Sequence, residues 1–297
     1  MIKQIDNVFS LLRPSAEISE LPLVFDSPHS GTIYPMNSSI TAPAYALKTT
    51  WDAYVDELWC AAPRAGAALL AARFPRAYLD VNRSPQDIDV EMLDGPWTGE
   101  VERSAACMRG MGLIRRYALP AVPMYAAPLP ISEVVHRIQR YYEPYHAMLT
   151  QLLDQAYEKF GQVWHINCHS MKSVGNAMNE DKGESRPDMV VSDCCGTSAD
   201  PKFTVWVTHT LERLGYSVKI NTPYQGGYIV KQYGQPTLQR NSVQIEINRR
   251  IYMNEVTFEK TPGFDRLQRD LESFTTELAS YVEEMMKVRS LNGVSPL

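Results

Sequence analysis

The chain has 297 residues, 44% of them hydrophobic and 21% charged, with a formal net charge of -5. This balance excludes a disordered chain and leaves enough apolar side chain for one large buried core. There is no basic cluster to track a phosphate backbone and no apolar run of about 18 residues, so neither nucleic acid nor membrane is expected as a partner.

Five cysteines, two of them the adjacent Cys194 and Cys195, with no CxxC spacing, point to a reducing compartment. The first residues lack an apolar leader, so a cytoplasmic location is expected. No repeat or composition break divides the chain, and a single domain over residues 1–297 is expected; the oligomeric state is left open.

In chain order, Pro22 to Asp26 reads as a strand and Thr49 to about Arg64 as a helix. Ala67 to Arg73 and Ala77 to Val81 read as strands. Ile131 to about Phe160 carries apolar residues at helical spacing, with Pro144 expected to bend it. Strands are then expected at Val163–Cys168, Met189–Ser192, Val218–Ile220 and Val243–Ile247, and helices at Thr204–Leu214 and Phe264–Met286. Strands separated by helices imply an α/β fold of three layers, a mixed, mainly parallel sheet flanked by helices. In such sheets, sites gather beyond the strands' carboxyl ends.

Two histidines stand at such ends: His29 in Ser27-Pro28-His29-Ser30-Gly31, and His169 after Ile166-Asn167-Cys168. His165 lies four residues before His169, roughly 13 Å along a strand at 3.3 Å per residue, so both cannot bind one ion; His165 is read as structural. His136, His146 and His209 fall on expected helices and are read as packing or surface residues. A catalytic zinc usually takes three protein ligands. The third is sought among carboxylates, with Asp52 preferred over Asp56, although Asp52 also suits the start of a helix. Asp80, Asn82 and Arg83 end a strand with groups suited to a carboxylate or carbonyl, an Asp80–Arg83 surface pair being the bland alternative. In Val243-Gln244-Ile245-Glu246-Ile247, Glu246 alternates away from the apolar residues and is costly to bury unless paired or near a metal, an amphipathic edge strand with a wet face being the bland alternative. Cys168 and His169 are adjacent on a strand and face opposite ways, which argues against a thiol nucleophile.

The segments SPHSGTIYP, WDAYVDEL, RAYLDVNRSPQDID, INCHSM, SDCCGTS, NTPYQGGYIVKQYG and VQIEINRR together resemble the N-formylglutamate amidohydrolase family of histidine catabolism, over about residues 20–285. The resemblance implies a zinc carboxypeptidase-like or aspartoacylase-like fold. It also implies hydrolysis of N-formyl-L-glutamate to formate and glutamate. His29 and His169 match the family's metal-ligand histidines. Thr32 stands where carboxypeptidase relatives carry a ligand glutamate, which turns attention to Asp52. Asn82 and Arg83 resemble the element that grips a substrate carboxylate, and Glu246 resembles the general base. The expected substrate is a small dianion, so Arg249 or Arg137 is expected to take its second carboxylate. The segment around Gly226 and Gly227 is either a closing loop or a rigid turn. A related zinc enzyme acting on another N-acyl amino acid, or a binding module without catalysis, stays open as an alternative, as does a metal other than zinc.

Overall fold

The computed structural model describes residues 2–5, 7–36 and 38–291. Its main sheet has eight strands: β1 Ile2–Ile5, β2 Phe9–Leu12, β3 Leu23–Ser27, β4 Ala68–Ala72, β5 Val163–Met171, β6 Met189–Ser192, β7 Val218–Ile220 and β8 Arg240–Asn248. Across the sheet they lie in the order β1-β2-β4-β3-β5-β8-β6-β7. The centre, from β4 through β3 and β5 to β8, is parallel; β1, β2 and the β8–β6 pairing are antiparallel. The helices are α1 Ala44–Lys48, α2 Val55–Leu58, α3 Ala105–Met108, α4 Ile131–Arg137, α5 Glu143–Phe160, α6 Pro201–Arg213, α7 Tyr228–Tyr233 and α8 Gly263–Leu291.

The period-2 alternation of strand side chains gives the central strands two different faces. Phe25, Ile166, Cys168, Val243, Ile245 and Ile247 turn one way and pack against Phe203 and Val207 of α6 and Leu271, Phe274 and Leu278 of α8. This is the dry layer. On the other side Val24 and Leu70 meet Tyr145, Leu149 and Leu152 of α5. There the residues between the apolar ones are polar: Asp26 on β3, His165, Asn167 and His169 on β5, and Ser242, Gln244 and Glu246 on β8. All are buried. Neighbouring strands are in matched register, with His165 opposite Ser242, Asn167 opposite Gln244 and His169 opposite Glu246.

Buried polar groups persist where they are paired. His165 shows how: its Nδ1 lies 2.8 Å from Ser242 Oγ and its Nε2 2.9 Å from Asp26 Oδ1. The Tyr145 hydroxyl donates to Asp26 from α5 at 2.8 Å. Burial alone would raise the Asp26 carboxyl, but His165, Asn167 and Tyr145 together hold it below the usual carboxylate range. His165 is therefore structural, as its spacing required.

Three expected elements differ. Ala77–Val81 is a turn: the Pro75 carbonyl accepts from Tyr78 N at 2.9 Å and Leu79 N at 3.4 Å. All five residues are buried, so a compact turn and a core strand look alike in composition. The helix expected over Thr49–Arg64 shrinks to Val55–Leu58 and a 3₁₀ turn at Ala62–Ala65, because Tyr54 at φ 63° leaves the helical region. Over 131–160 the helix is continuous but passes through a π turn, Ile138–Tyr142, just before Pro144. The wider turn accommodates the residue that lacks an N–H donor. The expected strands at β5, β6, β7 and β8 are all present.

Ile245→Ala removes a fully buried side chain from the dry face and is expected to cost about 3 kcal/mol. Denaturant unfolding with an unchanged m-value checks this; a cost under about 1 kcal/mol would show that the layer closes over the gap.

Candidate functional site

The carboxyl ends of β3, β5 and β8 open onto one cleft of about 340 Å³. β3 runs into the turn that carries His29. Two residues on, a Cβ at Gly31 would lie 2.3 Å from the Arg73 carbonyl carbon, so only glycine lets this turn sit against the end of β4. The loop before α2 is laced to the same turn. Asp52 N donates to His29 O at 3.1 Å, Trp51 Nε1 to Ser30 O at 2.7 Å, and Asp56 N to Ser30 Oγ at 3.1 Å. These bonds carry Asp52 to the cleft. Asp52 caps no helix: α2 begins at Val55 without a side-chain cap.

His29, Asp52 and His169, 1–2% exposed, present ligand atoms within 4.8 Å of one another. Asp52 Oδ2 lies 3.3 Å from His29 Nδ1 and 3.0 Å from His169 Nδ1, and the two Nδ1 atoms are 3.1 Å apart. The outer nitrogens are occupied. His29 Nε2 donates to Asp80 Oδ1 at 2.7 Å. His169 Nε2 donates to Asn167 Oδ1 at 2.8 Å, and Asn167 is oriented by its own amide donating to Asp26 at 2.7 Å. With each Nε2 carrying the proton, both Nδ1 atoms present lone pairs. Two lone pairs and a carboxylate thus meet with no proton to share. That donor set can hold a divalent cation, with its outer nitrogens pinned as in metal-ligating histidines.

Ionisation follows the same geometry. Burial opposes a charged Asp52, but the neighbouring His169 and His29 and the charge of Arg76 hold its carboxyl well below the usual range. Asp80 is likewise held well below, against its burial, by Arg76 and His29. Arg76 pairs with Asp80 at 2.7 Å, where the bland alternative had an Asp80–Arg83 pair. Glu246 behaves differently. Burial pushes its carboxyl up, the His169 side pulls it down, and the Asp52 charge pushes it up again. Its only hydrogen-bond donor among the described residues is Gln244 Nε2, at 2.8 Å.

The expected site residues divide into those the fold gathers and those it does not. His29, Asp52, His169, Asn82, Arg83, Glu246 and Arg249 all line the cleft. Asn82 is committed, with Nδ2 3.1 Å from His169 Nε2 and Oδ1 accepting from Ile229 N at 2.8 Å. Arg249 is also committed: it donates to Asp52 Oδ1 at 2.9 Å, Ser170 Oγ at 3.1 Å and Thr49 O at 3.0 Å. It holds the triad carboxylate through one of these bonds. The expectation for Arg137 is corrected. It is fully buried in α4, bonded to Tyr78 O and the Tyr125 hydroxyl, both at 2.8 Å, and away from the cleft. Asp56 takes no part in the triad.

Cys168 is fully buried on the dry face, and burial pushes its thiol well up, as its alternation with His169 implied. Gly226 and Gly227 serve close approach: Gly227 N donates to Gln244 Oε1 at 2.8 Å, and a Cβ there would lie 2.2 Å from the Asn82 amide. Sequence reasoning missed five cleft cations, Arg76, Arg109, Arg115, Lys172 and Arg186. Arg76 had a signal, its i,i+4 spacing to Asp80; the others lie in loops with no local pattern.

A parallel-strand α/β scaffold with a metal-capable triad at its strand ends and a buried glutamate alongside defines an enzyme of the hydrolase class. Comparison with known proteins narrows this. The model of the N-formylglutamate amidohydrolase family matches residues 21–253, and the chain belongs to that family. An N-formylglutamate deformylase of Pseudomonas putida is 28% identical over 79% of this chain and 83% of its own length. That of Pseudomonas aeruginosa is 27% identical over 84% of this chain and 87% of its own. Among solved structures, N-formylglutamate amidohydrolase from Ralstonia eutropha JMP134 superposes with a TM-score of 0.88 at 42% identity, covering 94% of this chain and 99% of that one.

Asp80→Asn leaves His29 Nε2 without its carboxylate. It is expected to weaken zinc binding by about 10–100-fold, measured by competition with a chromogenic chelator on folded protein. Unchanged affinity would remove Asp80 from the orienting role.

Proposed function

We propose that this protein, acting as one domain, hydrolyses N-formyl-L-glutamate to formate and L-glutamate with one zinc ion, at the end of histidine degradation in the cytoplasm. The observation that carries this reading is the meeting of His29 Nδ1, His169 Nδ1 and Asp52 Oδ2 beside Glu246, in a chain of this family. Five free cysteines fit a reducing compartment. No helix among the described residues is long and apolar enough to cross a membrane.

His29, Asp52 and His169 would hold the ion, which when bound polarises the formyl carbonyl and lowers the pKa of water beside it. Arg249 holds Asp52 in place through their 2.9 Å contact, and the charge of Arg76 helps keep it ionised. Asn167 fixes the His169 ring from behind by accepting from its Nε2. Glu246 is the general base. It stands in register with His169, and its raised carboxyl suits proton transfer nearer neutrality than an exposed glutamate does. It takes a proton from the water that attacks the formyl carbon. When the carbon–nitrogen bond breaks, Glu246 returns that proton to the departing amine, leaving formate and the free amino acid. Arg83 donates Nε and Nη1 to the carbonyls of Met111 and Asn82, which leaves its Nη2 for a substrate carboxylate at the cleft wall.

Formate release from N-formyl-L-glutamate, with and without added zinc and after chelation, tests the reading directly. Zinc-restored release is expected. No release from folded, zinc-loaded protein would move the substrate to another acyl amino acid. Glu246→Gln is expected to lower kcat by on the order of 10³-fold while zinc stoichiometry stays at wild type; retained turnover would place the base elsewhere.

A further inference from the structure

The cleft holds more positive charge than its reaction centre uses, and most of that charge is already neutralised by the protein. Arg76 pairs with Asp80 at 2.7 Å, Arg249 with Asp52 at 2.9 Å, Arg186 with Asp181 at 2.6 Å and Arg109 with Glu180 at 3.1 Å. Arg83 has Asp87 at 4.0 Å and two carbonyl acceptors. Two cleft cations remain.

Arg115, 8% exposed, lines the cleft, and its buried Nε has no hydrogen-bond partner. Among the described residues its guanidinium makes no ion pair. Lys172 follows β5 three residues beyond His169, on the same cleft wall. Its ammonium also has no ion pair or hydrogen bond among the described residues. The nearest anionic influence on it, Glu255, is engaged by the backbone N–H of Ser173 at 3.0 Å and by the Ser173 hydroxyl. Burial pushes Arg115 down to about 9; Arg76 and Arg83 repel it, while Asp80 and Asp52, already paired with Arg76 and Arg249, offset part of this. Burial also pushes Lys172 down to about 8, with Arg249, Arg115 and Arg186 nearby.

A buried or half-buried cation crowded by other cations and without an ion pair of its own lowers stability, and a fold keeps such a group where a ligand supplies the missing charge. Two of them in one cleft match a ligand with two anionic groups. A planar guanidinium takes a carboxylate through two parallel N–H bonds, and an ammonium takes the second as a point charge.

We infer that Arg115 and Lys172 select a dicarboxylate substrate, each meeting one of its two carboxylates, with Arg83 Nη2 as a further donor to one of them. The inference rests on the reading of this cleft as the site for an N-acyl glutamate, and it names the residues that would make that substrate preferred over a mono-acid. Arg115 and Lys172 thus replace Arg137 and Arg249 as the second source of positive charge.

The test is calorimetric titration of purified wild type, Arg115→Gln and Lys172→Gln with glutarate, a dicarboxylate without a scissile bond. Each substitution is expected to weaken glutarate on the order of 30-fold. Kinetics with N-formyl-L-glutamate and N-formyl-L-glutamine add a sign. One variant should erase the preference for the charged side chain, and the other should weaken both substrates alike. Glutarate binding within threefold of wild type in either variant overturns the assignment of that residue. Should Arg115→Gln fail to fold, Arg115→Lys retains charge without the fork, and a raised KM with a near-constant kcat is expected. Wild type that binds glutarate but releases no formate would sink the proposed function while leaving the two anchors standing.

Discussion

Two imidazole lone pairs and an ionised carboxylate aimed at one point, with no proton among them, form the arrangement that the rest of the structure serves. Left alone, such acceptors repel, and the fold holds them together by fixing each from outside. Asp80 takes the outer proton of His29, and Asn167 takes that of His169. Arg249 binds the second oxygen of Asp52. The turn after β3 and the loop before α2 are stitched by three hydrogen bonds, so His29 and Asp52 move as one body. A cation at the centre satisfies all three acceptors at once, which gives this costly geometry its physical sense.

The sheet makes this possible by having unlike faces. Its dry face, packed on α6 and α8, supplies burial energy and needs no hydrogen bonds from side chains. The opposite face carries a polar row that begins deep under α5, at Asp26 and His165, and ends in the cleft at His169 and Glu246. Inside, the row is closed by its own bonds, with Tyr145 completing Asp26. At the cleft it is left open: Glu246 has one donor and a raised carboxyl, and the imidazoles have free inner nitrogens. A row that is closed in the core and open at its end gives both a rigid support and a reactive surface.

Charge in the cleft follows the same division. Arg76 and Arg249 are tied to the carboxylates that set the triad, and Arg186 and Arg109 are tied to the 172–187 segment that forms the rim. Their presence in the lining does not make them substrate contacts. What an arginine can offer depends on which of its five N–H groups remain after the protein has used the others. By that standard Arg115 and Lys172, and Arg83 through its Nη2, stand apart from the rest.

How much of this was legible in the sequence depends on range. The strands β5, β6, β7 and β8, the placing of His29 and His169 at strand ends, the exclusion of His165 and the sidedness of Glu246 and Cys168 all follow from alternation within one strand, a local rule. The turn at Ala77–Val81 and the short helix at Val55–Leu58 differ from the sequence reading because burial on all sides erases periodicity and one residue at positive φ, Tyr54, holds off the helix start without a Gly or Pro to mark it. Which carboxylate joins the histidines, and which arginines are spent on the protein, depends on contacts between residues 23 to nearly 200 positions apart. Sequence by itself determined the residue types and the faces they occupy, because strand geometry is set by nearest neighbours. Only the tertiary structure decided the partners, because pairing is settled by distance in space, and chain folding alone fixes that.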